Sequence, residues 1–161
     1  MYSLLSGFYK WYFEKPEYKV LILGLDGAGK TSFLEQVKEL DGQKFMSRQK
    51  IPPTVGLNLA RIEKRRAKFV FWDVGGQPVL RKIWEKYYSQ CHAVVFVVDG
   101  SDESRLDEAS QTLDRLYSAA SPTELVDLPV LFLVTKCEEA SFIGIDQVKS
   151  RLNLNSLNCT A

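Results

Sequence analysis

The segment Gly24-Leu25-Asp26-Gly27-Ala28-Gly29-Lys30-Thr31 has the spacing of a phosphate cradle, GxxxxGK[ST]. Glycines at those positions let backbone N–H groups turn inward around phosphate oxygens, and the N-terminus of a following helix adds a favourable partial charge. Lys30 is placed to reach β- and γ-phosphates. Thr31 is placed to offer its hydroxyl to Mg²⁺, a hard cation that takes oxygen ligands and otherwise keeps its waters. A second constellation is Phe71-Trp72-Asp73-Val74-Gly75-Gly76-Gln77. An acid at the end of a strand can hold Mg²⁺ through water, Gly76 can bring its N–H to a γ-phosphate without a Cβ clash, and Gln77 can orient an attacking water. Thr54, in Pro52-Pro53-Thr54-Val55-Gly56, supplies a further hydroxyl whose role depends on where its loop lies.

These residues need a strand before the cradle and a helix after it, and the hydropathy pattern supplies both. Lys19 to Leu25 is short, apolar and interrupted by glycine, as in a buried strand feeding a βα turn, and Thr31 to Leu40 reads as the helix. Asp41 to Pro53 is polar, basic and breaker-rich, which predicts a long loop. Leu57 to Glu63 and Lys68 to Asp73 flank Lys64-Arg65-Arg66-Ala67 as a hairpin. Ala93 to Asp99 and Pro129 to Thr135 are continuous apolar strands, with a helix over Glu103 to Ala120 between them. The order predicts an α/β domain over 17–161: an open, mostly parallel sheet with one antiparallel strand and helices on both faces. Before it, Leu4, Leu5, Phe8, Trp11 and Tyr12 fall at helical spacing, which predicts an amphipathic helix within residues 1–16.

Composition narrows the partners. Twenty-one Lys and Arg against 20 Asp and Glu leave a formal net charge of +1 over 161 residues, which argues against nucleic acid. Cys91, Cys137 and Cys159 lie far apart without metal-ligand spacing, as expected of reduced cytosolic thiols. No apolar run is long enough to span a bilayer, and no secretory leader pattern opens the chain.

Taken together, Leu23-Gly24-Leu25-Asp26, Thr54-Val55-Gly56-Leu57-Asn58, Phe71 to Gln77, Trp84 and Lys86-Tyr87-Tyr88-Ser89-Gln90-Cys91-His92 resemble the ADP-ribosylation-factor (Arf) GTPases. The opening Met1-Tyr2-Ser3-Leu4-Leu5-Ser6-Gly7 is similar to the Arf-related protein branch. The resemblance implies a P-loop GTPase fold that binds GTP, GDP and Mg²⁺. It implies that Thr31 and Thr54 ligate the metal, and that Gly24, Asp26, Gly27, Ala28, Gly29, Lys30, Thr31, Ser32, Asp73 and Gly76 surround phosphates and metal, with Gln77 catalytic. Residues 43–56 and 75–88 become the two switches, and the hairpin between them would slide as the N-terminal helix leaves its groove. An effector-facing patch falls on Leu57, Trp72 and Tyr87, with leucine where phenylalanine is commoner. Tyr2 stands where myristoylated relatives have glycine, so recruitment through residues 2–13, with an acetylated N-terminus, is the expectation for a cytoplasmic protein peripheral on Golgi membranes.

Three departures from the pattern bear on function. The guanine-reading Asn-Lys-x-Asp is Thr135-Lys136-Cys137-Glu138 here, so the carboxylate that accepts from guanine N1–H and N2–H is longer by one methylene. The family's sixth strand, guanine-contacting loop and final helix are not matched before Ala161; Leu152-Asn153-Leu154-Asn155 alternates weakly, leaving Cys159-Thr160-Ala161 as a possible imitation of that loop. Pro78 follows Gln77 and stiffens the adjacent backbone, in the direction of slow hydrolysis. The leading expectation is a GTP/GDP switch with slow hydrolysis that recruits effectors in trafficking, with exchange factor, GTPase-activating protein and effectors unidentified. The alternative is a pseudo-GTPase adaptor that binds nucleotide weakly or not at all. A P-loop kinase using ATP is weakened by the lack of an arginine-rich lid segment.

Overall fold

The computed structural model describes residues 15–119 and 128–154. Five strands form one sheet in the order β2-β3-β1-β4-β5: β1 Glu17–Gly24, β2 Leu57–Glu63, β3 Lys68–Val74, β4 Ala93–Asp99 and β5 Val130–Thr135. β1 pairs in parallel with β3 and β4, and β4 with β5, while β2 and β3 form the antiparallel hairpin. The expected α/β architecture with one antiparallel strand is therefore the observed one. Strands buried on both faces lose the alternation of a half-exposed sheet, and β4 accordingly reads Ala-Val-Val-Phe-Val-Val-Asp with Val94 to Val98 all buried.

Helix α1 (Lys30–Leu40) leaves the cradle, the single turn α2 (Glu85–Tyr88) closes the segment 75–88, and α3 (Leu106–Ala119) and α4 (Ile145–Arg151) complete the set. One face of the sheet carries the larger core. There Leu21, Leu23, Trp72, Val74, Val94, Phe96 and Val98 pack against Trp84, Tyr88, Leu106, Leu113, Leu116, Val148 and Leu152. On the other face α1 sets Leu34 against Ile22, Val95 and Val97. Trp84 is the largest fully buried side chain among the described residues, and its Nε1–H donates to the Gly75 carbonyl at 3.1 Å. Truncating it to alanine would cost about 3–5 kcal/mol, so the second switch is anchored by its own core residue.

Two local expectations differ. The helix read from Glu103 begins as a 3-10 turn (Glu103–Arg105) and becomes α-helical at Leu106. Leu152 and Asn153 do not start a strand; they close α4, with Asn153 at φ 52 and its N–H on the Ser150 carbonyl. Weak alternation after a helix is also what a terminating turn produces, and Val148 and Leu152, four residues apart, bury on one helical face. The N-terminal helix expected within residues 1–16 falls almost wholly outside the described residues, as does Cys159-Thr160-Ala161. Among the described residues no helix is long and apolar enough to cross a membrane.

Candidate functional site

The central strand ends where the chain must turn sharply. Gly24 has φ +137, and a Cβ there would lie 2.2 Å from the Val97 carbonyl oxygen, so only glycine lets β1 pass β4 into the turn. Gly29 precedes α1 with no side-chain cap, which leaves the first helical N–H groups free for a ligand. They open onto a cavity of about 420 Å³ lined by the cradle, by Ile51, Pro52, Pro53 and Thr54 of the long loop, and by Gly76 and Gln77. Lys30 is buried, donating to the carbonyls of Gly24 at 3.0 Å and Leu25 at 2.7 Å. Burial pushes its ammonium down to about 8, with the charges of Asp73 and Asp26 pulling the other way.

Three oxygens from distant segments converge beside Lys30. Thr31 Oγ1 lies 2.7 Å from Thr54 Oγ1 and donates to Asp73 Oδ2 at 2.7 Å, so Thr54 donates to Thr31 in turn. Asp73 has 0% exposure, and its Oδ1 is the one buried side-chain polar atom among the described residues with no hydrogen-bond partner. Burial pushes the Asp73 carboxyl up, against the hydroxyl of Thr31 and the charge of Lys30. A buried carboxylate with a spare oxygen, flanked by two hydroxyls, fits a hard divalent cation such as Mg²⁺. Thr31 and Thr54 would hold it, Asp73 would support it through water, and it would supply charge neutralisation to phosphate oxygens.

Gly76 closes the far wall. A Cβ there would meet Asp26 N and Gly24 O at 2.4 Å, so the backbone at the start of the second switch rests directly on the cradle. Gln77 is exposed at the cavity, and its carbonyl accepts from the N–H groups of Leu80 at 2.8 Å and Arg81 at 3.2 Å. Pro78 sits inside that turn, where its missing N–H costs no bond.

The base end is built differently. A second cavity of about 390 Å³ shares Gly29, Ser32 and Arg48 with the first and continues past Phe33 to Thr135, Lys136 and Glu138. Thr135 Oγ1 lies 2.8 Å from the Ala28 carbonyl and 3.1 Å from that of Val98, tying the base loop to cradle and sheet. A hydroxyl has one hydrogen for these two acceptors, where the amide of an asparagine has two. Lys136, at φ 56, pairs with Asp99. Glu138 is 61% exposed and accepts from Arg48 Nη1 at 3.2 Å. Its own backbone amide first, and Arg48 second, hold its carboxyl below the usual carboxylate range.

Comparison with known proteins decides what this cleft belongs to. The sequence profile of the ADP-ribosylation factor family, Arf, matches residues 4–161. The chain belongs to the ADP-ribosylation factor family. It is similar to the ADP-ribosylation factor-related protein 1 of Homo sapiens, 42% identical over 163 residues, covering 100% of this chain and 78% of that protein. To the ADP-ribosylation factor-like protein 3 of Saccharomyces cerevisiae it is 42% identical over 154 residues, covering 95% of this chain and 76% of that protein. Among solved structures, the Arl6 BBS3 small GTPase of Trypanosoma brucei with bound nucleotide analogue GppNp superposes with a TM-score of 0.72 at 31% identity, covering 88% of this chain and 80% of that one.

Within this Arf-family small GTPase, the structure lines one cavity with Asp26, Gly27, Gly29, Lys30, Thr31, Ser32, Thr54, Gly76 and Gln77 of the residues singled out in the sequence, while Gly24, Ala28 and Asp73 are buried next to them. Of the patch Leu57, Trp72 and Tyr87, the Trp72 and Tyr87 rings meet edge to face at 5.4 Å with Lys19 Nζ 5.2 Å over Trp72, and Leu57 packs against the same core. Trp72 is buried and the other two are partly buried, so the patch is a half-packed surface and not a protruding one.

Sequence reasoning missed an ion network around Asp26. Arg105 donates to the Asp26 carboxylate and carbonyl, both at 2.8 Å, and Arg81 donates to the Gly76 carbonyl at 2.8 Å. Glu108 accepts from Arg81 at 2.6 Å and Arg105 at 3.1 Å. Burial pushes the Asp26 carboxyl up, but the bond and charge of Arg105 outweigh it and hold the group below its usual range. The network joins cradle, second switch and α3, segments too far apart in sequence for any local pattern to link them. The one available signal was Arg105 and Glu108 three residues apart on a helix.

Proposed function

We propose that this chain is a GTP/GDP switch that hydrolyses GTP slowly with Mg²⁺ and, when loaded, offers its switches to effectors in Golgi trafficking. The observation that carries the nucleotide and metal reading is the orphaned, fully buried Asp73 Oδ1 beside Thr31 and Thr54, next to the glycine cradle that opens α1. Supporting it, the Trypanosoma brucei Arl6 structure is described with the nucleotide analogue GppNp bound. Gln77 lines the cavity, and on this reading it orients water and takes no part in holding phosphate. Membrane recruitment through residues 2–13 rests on their apolar spacing in sequence.

Calorimetric titration of the purified chain with GTP, GDP and ADP, with and without Mg²⁺, tests the reading. Binding of both guanine nucleotides that strengthens with Mg²⁺ is expected. In Thr31→Asn, GTP affinity should fall more than GDP affinity, because the γ-phosphate depends on the metal bridge. The adaptor reading has one observation in its favour, that Glu138 is engaged by Arg48 at the surface. Absence of binding to any of the three nucleotides would select it.

A further inference from the structure

The Arg48–Glu138 ion pair joins residues 90 positions apart across the mouth of the cleft, and Arg48 alone of the two also lines the phosphate cavity. Arg48 opens a 3-10 turn (Arg48–Lys50) in the long loop whose far end carries Thr54. The side chain therefore spans from the segment that senses phosphate and metal to the residue at the guanine-reading position. We infer that Arg48 is a selectivity residue: it competes with the base edge for the Glu138 carboxylate, and guanine entry frees the long loop by displacing it. The inference rests on the proposed nucleotide binding and deepens it.

The chemistry favours competition. A carboxylate reads guanine by giving one oxygen to N1–H and the other to N2–H in a single plane. Arg48 Nη1 already takes Oε1. The extra methylene of Glu138 lets the carboxylate swing outward to that donor, and both partners are about three-fifths exposed. An exposed pair of this kind is weak and salt-sensitive, so displacing it costs a factor of a few and not an abolition of binding. Adenine offers no such donor pair to a carboxylate, so Arg48 withholds nothing from it. The contact thus narrows the margin between guanine and adenine nucleotides and makes that margin depend on ionic strength.

The test uses the full chain with a fluorescent GDP analogue, GDP and ADP as competitors, at low and high NaCl. Arg48→Ala should raise the association rate and affinity for GDP about two- to fivefold, leave ADP unchanged, and lose its advantage in high salt. Equal gains for GDP and ADP, or weaker GDP binding, would overturn the inference by showing that Arg48 acts sterically or touches the nucleotide itself. If neither protein binds any nucleotide, the proposed function fails and the selectivity role falls with it, whereas an unchanged GDP affinity in a GDP-binding chain sinks the selectivity role alone. Hydrogen exchange on the nucleotide-free chain gives a readout without ligand. Arg48→Ala and Glu138→Gln should each speed exchange in residues 41–56 equally, with the double variant no faster; additive effects would show that no clasp exists.

Discussion

The two ends of one cleft are held by different physics. At the phosphate end Lys30 and Asp73 are buried, Lys30 is fixed by the cradle's own carbonyls and Asp73 by hydroxyls of separate segments, and the glycine backbones touch at distances that admit no side chain. At the proposed base end the Glu138 carboxylate stands in solvent on a single ion pair, and the Thr135 hydroxyl shares one hydrogen between two carbonyls. Buried charged groups are costly to leave unpaired, so any change among them propagates. Exposed groups exchange partners with water at little cost. The phosphate end is therefore the fixed part of the site, and the base end is the part that sequence change can retune.

The largest expected effect breaks the fixed end. Lys30→Ala removes an ammonium placed for two phosphates, and with charge-assisted bonds worth about 1.5–3 kcal/mol each, GTP affinity should drop about a hundredfold or more. Titration against a fluorescent GTP analogue measures it. A loss no greater than that caused by a base-end substitution would erase the contrast between the two ends. Next in size, Gln77→Leu should slow single-turnover hydrolysis about tenfold or more while GTP affinity stays the same, since in the proposed role the amide orients water and does not hold phosphate. Equal rates in mutant and parent would remove Gln77 from the chemistry.

How much of this was readable beforehand follows the same divide. The cradle could be read because its function is local: glycines, lysine and threonine within eight residues, framed by a strand and a helix, need no distant partner to be recognised. The sheet was legible for a related reason, since apolar runs such as Val94 to Val98 are buried on both faces wherever they pair. Thr54 could be suspected but not placed, because its value depends on a loop folding back by more than twenty residues onto Thr31. Arg81, Arg105 and Arg48 were invisible as site residues; a surface arginine and an arginine that clamps Asp26 carry the same letter. The weak alternation at Leu152 and Asn153 falls where α4 ends, and a two-residue repeat cannot separate a helix end from a strand.

Protonation sharpens the comparison with a smaller, graded effect. In the nucleotide-free chain burial sets Lys30 to about 8, against 10.5 for an ordinary lysine. Phosphate oxygens favour the charged form, so nucleotide affinity should fall as pH rises above about 8, by up to tenfold per pH unit. The stability trend has the opposite sign. Between about 8 and 10.5 the unfolded chain binds more protons at this group than the native chain, so the Lys30 contribution makes nucleotide-free stability rise with pH. Calorimetric titrations and melting curves from pH 7 to 9.5 follow both. Affinity that stays flat while the cleft binds normally would mean that Lys30 keeps its proton in the free state.

The smallest effect belongs to the exposed end, and it is the one that tests whether the altered guanine reader is a defect or an adjustment. Glu138→Asp shortens the carboxylate by one methylene, drawing it away from Arg48 and back towards the base edge. If the long side chain is what lets Arg48 compete, the shorter one should tighten GDP binding about three- to tenfold and leave ADP unchanged, in keeping with the modest worth of exposed charge pairs. Combining it with Arg48→Ala separates the two causes. Once Arg48 is gone the competition is gone, so aspartate should then gain only what better geometry at the base provides, and the two substitutions should add to less than the sum of their separate effects. Competition titration of GDP and ADP against a fluorescent GDP analogue, on the parent, both single variants and the double, gives the cycle. Full additivity would mean that Arg48 and the length of residue 138 act independently. Weaker GDP binding by the aspartate variant would mean that the pocket has already adjusted to glutamate, with the carboxylate reaching the base at its present length.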